Sequence, residues 1–350
     1  MEEKEINILL TSAGRRRYLV DFFKKALKGN GKVYATNSSE ISAALEAADG
    51  AAVSPLIYDK NYIPFLLNFC RRNRIAAVIP LFDIDLPILS KHKKEFEDIG
   101  TRVIVSDSNI IEICNDKWKT YSFLKQNHFN TIKTYIDLKA ALDALVAKEI
   151  EYPLVIKPRW GMGSLDIFIA NNEQELQVLY TKVKRELQDS YLKYESREDS
   201  TRAVLIQEYI TGQEYGMDII HDLEGNYCSV VVKEKLGMRA GETDCARIVD
   251  DKDIILLGKK LSSLVKHIGN MDVDLFRKNG MLYILELNAR FGGGYPFSHI
   301  AGIDLPGAII GWLKGEKVSE KFFHAKKDIV IQKDISLLIL NSELFSKENK

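Results

Sequence analysis

Residues 272–295 read DVDLFRKNGMLYILELNARFGGGY, and the rest of the chain is best understood from them. The stretch opens with aspartates on alternate positions of an apolar run, turns at Asn279-Gly280, and returns through MLYILELNARF. Asn-Gly between apolar strands is the strongest short-range hairpin signal. Alternation assigns Ile284, Glu286 and Asn288 to one face of the returning strand and Leu285, Leu287 and Ala289 to the other. With Lys278-Asn279-Gly280 as a three-residue loop, Arg277 pairs with Met281. Asp272 then stands opposite Glu286, and Asp274 opposite Ile284 on the same face, diagonal to Glu286. A carboxylate and an amide two residues apart, with Arg290 close by, make a poor core. They make a good bed for Mg²⁺ and a triphosphate, and either aspartate can share the cation with Glu286. A solvated hairpin face with scattered charges is the plainer alternative.

Length and composition narrow the class. A chain of 350 residues exceeds one ordinary domain, so two or three lobes are expected. Lysine plus arginine equals aspartate plus glutamate, 49 each, which argues against a nucleic-acid or membrane-surface partner. No apolar run reaches membrane-spanning length, and the acidic start MEEKEINILLTS is unlike a secretory signal. Cys70, Cys114, Cys228 and Cys245 are scattered without CxxC spacing, as expected of idle thiols in a reducing cytoplasm. A cytoplasmic protein is the expectation.

Along the chain, strands at 6–10, 32–36, 76–80 and 102–105 alternate with helices, predicting a small doubly wound parallel sheet over 1–114. TSAGRR after the first strand carries only one glycine of G-x-G-x-x-G, so a dinucleotide role is disfavoured. Loops at the carboxyl ends of such strands still form a crevice. Arg15 and Arg16 lie on one such loop, Asp83 and Asp85 on another, as readers of a charged substrate or as ordinary solvated charges. Over 115–202, DKWKTYSFLKQN is a helix with Asp116 near its N-terminus, as the macrodipole prefers. PLVIKP is a strand ending on Lys157, and Arg159-Trp160-Gly161-Met162-Gly163-Ser164 forms a small-residue loop. Backbone N–H groups beside a lysine suit phosphate. Over 203–315, strands at 203–209, 214–220 and 227–235, a helix at 254–268 and the opening hairpin suggest an α+β lobe on an antiparallel sheet. LGMRAGET is read as a loop bearing Arg239, and 316–350 as a charged extension.

Taken in order, NDKWKTYSFL, PLVIKPRWGMGS, QEYITGQEYGMDI and LELNARFGGG resemble the ATP-grasp superfamily, and within it the carbamoyl-phosphate-synthase large-subunit-like proteins, over residues 6 to 315. The resemblance implies an N-terminal pre-ATP-grasp domain, a lid and a larger lobe, with ATP clamped between the last two. It implies that Lys117 and Lys157 hold ATP phosphates under a loop of Gly161, Gly163 and Ser164. It further implies Gln207, Glu208 and Ile210 as the adenine hinge and Glu214 at the ribose. By the same likeness Asp274, Glu286 and Asn288 hold Mg²⁺ (or Mn²⁺), and Arg290 serves the transferred phosphoryl group. The family spacing thus favours Asp274 where the simple hairpin register favours Asp272. The implied activity joins a small-molecule carboxylate, activated as an acylphosphate, to an amine. Arg239, Asp83 and Arg15 are the candidate substrate contacts, and a homodimer is expected by likeness alone. One unit stands here where the synthase large subunits have two, and FGGGYPFSH departs from the synthase segment, so carbamoyl phosphate synthesis itself is not expected. A kinase or carboxylase-like activity and a nucleotide sensor without turnover are the alternatives.

Overall fold

The computed structural model describes residues 5–163 and 165–340. The first lobe is a five-stranded, wholly parallel sheet of β1 (Asn7–Thr11), β2 (Val33–Asn37), β3 (Gly50–Val53), β4 (Ile75–Pro80) and β5 (Arg102–Val103), in the order β3-β2-β1-β4-β5. β1 is buried along its whole length, as a central parallel strand covered on both faces must be. β3 escaped the sequence reading because Gly-Ala-Ala-Val is short and weakly patterned. β1 lies between β2 and β4, so the chain reverses its direction of winding there. The loops 12–16 and 81–84 emerge at that switch point, where α/β sheets open a crevice.

A second, four-stranded antiparallel sheet contains β6 (Thr134–Tyr135), β7 (Leu154–Pro158), β8 (Phe168–Ala170) and β9 (Val204–Glu208), ordered β6-β9-β7-β8. β9, counted with the larger lobe from sequence, is hydrogen-bonded here between β6 and β7. Helices Leu138–Val146 and Glu173–Asp189 cover this sheet and give it a separate apolar core that includes Ile156, Leu176, Val183 and Ile206.

The third sheet is antiparallel, with order β14-β13-β10-β11-β12-β15, from β10 (Gln213–His221), β11 (Tyr227–Arg239), β12 (Glu242–Val249), β13 (Asn270–Lys278), β14 (Met281–Asn288) and β15 (Val330–Gln332). The expected LGMRAGET loop is instead the tip of the β11–β12 hairpin, turning at Ala240-Gly241 with φ of 49° and 77°. β15 comes from the C-terminal extension and adds to the sheet edge. This sheet shares its apolar cores with the first lobe: Leu9 and Val78 pack in one cluster with Met217, Val273 and Leu287.

The β13–β14 register differs from the expected one. Lys278 pairs with Met281 across the two-residue turn Asn279-Gly280, whose φ values of 52° and 77° are both left-handed. The register then slips, with Leu275 opposite Ile284 but Asp274 opposite Glu286, so Leu285 is an extra residue in β14. Asp272 accordingly faces Asn288, not Glu286. The bulge also corrects the alternation: Ile284 joins Leu287 and Ala289 in the core, while Leu285 lines a cavity with Glu286 and Asn288. Ile284→Ala should therefore cost about 2–5 kcal/mol, the range for emptying a core aliphatic site. Leu285→Ala should cost about 1 kcal/mol or less. Urea unfolding of the two variants checks this, and the opposite ranking would reject the bulged register.

Candidate active site

A cavity of about 630 Å³ opens where the three sheets meet. The 12–16 loop borders it from the first lobe, Lys157 and Gly161 from the second, and Glu214, Lys233, Lys235, Asp272, Asp274, Glu286, Asn288 and Arg290 from the third.

Lys117 is placed by its helix start. Asp116 caps the helix Lys117–Gln126, accepting from the backbone N–H groups of Trp118 at 2.9 Å and Lys119 at 3.3 Å. The same carboxylate receives Arg159 Nε at 2.8 Å and Nη2 at 2.7 Å, a forked pair that ties the helix to the residue after β7. Lys117 Nζ lies 3.0 Å from Glu286 Oε1 and also donates to the Gly161 carbonyl. It thereby bridges the helix, the glycine loop and β14. Gly161 has φ of 107°, which an L side chain rarely adopts, so glycine permits this loop.

Lys157 is buried and donates to Gln207 Oε1 at 2.8 Å, and Gln207 Nε2 donates in turn to Thr134 Oγ1 at 2.8 Å. Burial, with Lys117 adding to it and Glu286 opposing, brings the Lys157 ammonium down to about 8. Burial alone would raise the Glu286 carboxyl, but Lys117, Lys157 and Arg290 hold it below its ordinary value. Arg290 directs Nε at 2.9 Å and Nη2 at 2.7 Å to Asp83 Oδ2, and reaches Asn288 Oδ1 at 3.3 Å. Burial acts to lower the guanidinium, yet Asp83, Asp272 and Glu286 raise it.

Two lysines at the site were not singled out from sequence. Lys235 Nζ lies 2.6 Å from Glu214 and 2.7 Å from Asp274. Lys233 Nζ lies 2.6 Å from Asp218 and 3.7 Å from Asp272. The available signal was two lysines on alternate positions after the apolar VVV of β11, which share one strand face. Gly292 is required by the same crowding, since a Cβ there would stand 2.1 Å from Asp272 Oδ2.

Other sequence candidates fall elsewhere. Asp83 reaches the site as the partner of Arg290 and does not line the main cavity. Asp85 is fully buried, accepting from Thr11 Oγ1 and Tyr62 Oη at 2.8 Å each, so it is a structural acid and no substrate reader. Arg239 is exposed at the hairpin tip and outside the cavity lining. Glu208 and Ile210 are also outside it, whereas Gln207 borders a small side pocket beside Lys157. Arg15 lines the cavity with a 93% exposed side chain. Ser164 lies outside the described residues.

The donors present suit Mg²⁺. Among the described residues no three His, Cys, Asp or Glu side chains form a metal cage. Mg²⁺ asks for less, commonly one or two carboxylates with phosphate oxygens and water completing the shell. Glu286, Asn288 and Asp274 offer hard oxygens on paired strands. Burial pushes the Asp272 carboxyl up to about 6, with Asp274 and Asp218 adding to it and Lys233 and Arg290 opposing.

Comparison with known proteins shows the family. An ATP-grasp domain model matches residues 114–294, and a model for the N-terminal domain of PylC-like proteins matches residues 8–104. The chain belongs to the ATP-grasp family. The large chain of carbamoyl phosphate synthase from Campylobacter jejuni is 22% identical over 318 residues, covering 87% of this chain and 27% of its own length. The chain thus spans about a quarter of that relative. Biotin carboxylase from Campylobacter jejuni, solved as a β-γ-ATP complex, superposes with a TM-score of 0.70 at 16% identity over 93% of this chain and 75% of its own. The L-amino acid ligase from Bacillus licheniformis gives 0.69 at 19% identity over 93% of this chain and 80% of its own. These solved structures share the ATP-grasp fold, and no described helix is long and apolar enough to cross a membrane.

Lys157 yields a protonation test of nucleotide binding at this cavity. With its ammonium at about 8 in the free protein, much of it is neutral at pH 8.5. A triphosphate beside it favours the charged form, so binding a nucleotide at pH 8.5 should take up a proton. Calorimetry in buffers of different ionisation enthalpy measures that uptake, and Lys157→Met should abolish it. Equal uptake in the variant would remove Lys157 from the phosphate site.

Proposed function

We propose that this protein is an ATP-dependent ligase that activates a small-molecule carboxylate and joins it to an amine. The observation that carries the reading is the convergence of Lys117 and Lys157 with Glu286, Asn288 and Arg290 on one cavity. Phosphoryl transfer needs charge neutralisation and in-line positioning more than covalent help. Lys117 and Lys157 grip the triphosphate beside the Gly161–Gly163 loop, and Glu214 is the candidate ribose acceptor. Asp274, Glu286 and Asn288 hold Mg²⁺, which neutralises phosphate charge when bound.

In the first step a carboxylate oxygen attacks the γ-phosphorus and the bond to the bridging oxygen of ADP breaks, giving an acylphosphate. In the second, the amine nitrogen attacks the acyl carbon, phosphate leaves, and the nitrogen loses a proton to give the amide. Arg290, oriented by Asp83, faces the transferred group and then the tetrahedral oxyanion. Two features support a site kept for turnover: Lys157 is buried and Lys117 and Arg290 are mostly so, and they come from separate parts of the fold. Binding alone would not need every member.

Release of ADP across pooled carboxylates and amines is the direct test. Turnover that requires both substrates is the expected result. Release with a single alcohol or carboxylate would indicate a kinase instead, and tight ATP binding without release would indicate a sensor. Glu286→Gln should reduce turnover by at least about a hundredfold, the scale for losing a preorganised charge at phosphoryl transfer. Its circular dichroism should match the wild type. Wild-type rates in that variant would sink the metal assignment.

A further inference from the structure

Most cations lining the cavity are already matched by carboxylates: Lys117 by Glu286, Lys233 by Asp218, Lys235 by Glu214 and Asp274, and Arg290 by Asp83. Two are not. Lys157 has the neutral amide of Gln207 as its partner, and the triphosphate accounts for it. Arg16, at the first-lobe end, donates to the Leu81 carbonyl and has no carboxylate of a described residue within ion-pair distance. Its neighbour Arg15 is held only loosely, 3.8 Å from a Glu242 that also pairs with Lys333 at 3.1 Å.

We infer that one of the two substrates carries a second negative group, remote from its reacting atom, which Arg16 holds with help from Arg15. The inference rests on the ligase reading and names the substrate class for it. Glu242 feels the Arg16 charge only beyond ion-pair distance and is already shared with Arg15 and Lys333, so a substrate anion is the simplest close partner for Arg16. A guanidinium has five donors in a planar fork, and its bond to the Leu81 carbonyl and contact with the Tyr18 side chain leave others for an oxyanion. Ser12 and Gly14, with φ of 48° and 50°, turn the chain sharply at the end of β1 and bring both arginines to the cavity lining. Arg16 and Arg290 line the same cavity of about 630 Å³, so the anion end and the phosphoryl end share one cleft. The chemistry suits a carboxylate or a phosphate.

The test uses the full chain with Mg²⁺ and a non-hydrolysable ATP analogue filling the nucleotide end. Calorimetric titration with succinate and with inorganic phosphate separates the two sources, and neutral succinamide is the control. The expected result is that one anion binds and succinamide does not. Arg16→Met should weaken that anion at least about tenfold, the effect of losing a charge-assisted hydrogen bond. Arg16→Lys should recover part of it, and analogue affinity should stay unchanged in both variants, showing an intact fold. Anion binding unaltered by Arg16→Met, or no anion binding above succinamide, overturns the inference. The ligase reading fails on a different result: no ADP release from any substrate pair while anion binding at Arg16 persists.

Discussion

A single extra residue in β14 governs the site. Glu286 and Asn288 must face a charged cavity, while Ile284, Leu287 and Ala289 on the same strand must fill the core. Regular alternation cannot do both, because Ile284 would share the face of Glu286. The bulge at Leu285 resolves the conflict by shifting the register after Ile284. It also sets Asp274 opposite Glu286 and Asp272 opposite Asn288, which fixes where the acidic groups meet.

Around that strand the fold manages buried charge by pairing across elements. Lys235 answers Glu214 on β10 and Asp274 on β13, and Arg290 answers Asp83 on the first lobe. A buried ion pair is weak support for stability, since desolvation consumes most of the Coulombic gain. Such pairs do hold groups in place before substrates arrive. The Lys117–Glu286 contact joins the helix Lys117–Gln126 to β14, and on the proposed function a nucleotide and Mg²⁺ entering there compete with an existing pair. The first and third sheets share apolar cores, while the second has its own. The cavity-lining Lys157 and Gly161 thus belong to the lobe that packs most independently.

Much of this was legible in the residue order. The alternating strands and helices of the first lobe, the hairpin at Asn279-Gly280, and the ordered lysine, glycine and ELNAR segments specify their elements locally. The carbonyl- and carboxylate-bearing positions of β14 stand out because polar groups interrupt an apolar run. Lys233 and Lys235 were passed over because a lysine pair in a strand looks the same in solvent as in a cleft. Arg239 and Asp85 were overvalued for the converse reason: a charge in a loop gives no hint of whether it ends exposed at a hairpin tip or buried under Tyr62.

The sequence by itself determined the family, and it singled out Lys117 and Lys157 as candidate site residues, because those depend on local patterns of side chains. Only the tertiary structure decided the register of β13 against β14, the membership of β9, and the partner of each buried charge. Those depend on contacts between residues far apart in the chain, such as Asp83 with Arg290 and Lys117 with Glu286. No local pattern encodes a one-residue bulge, because its stabilisation comes from the core and the cavity on opposite faces of the same strand.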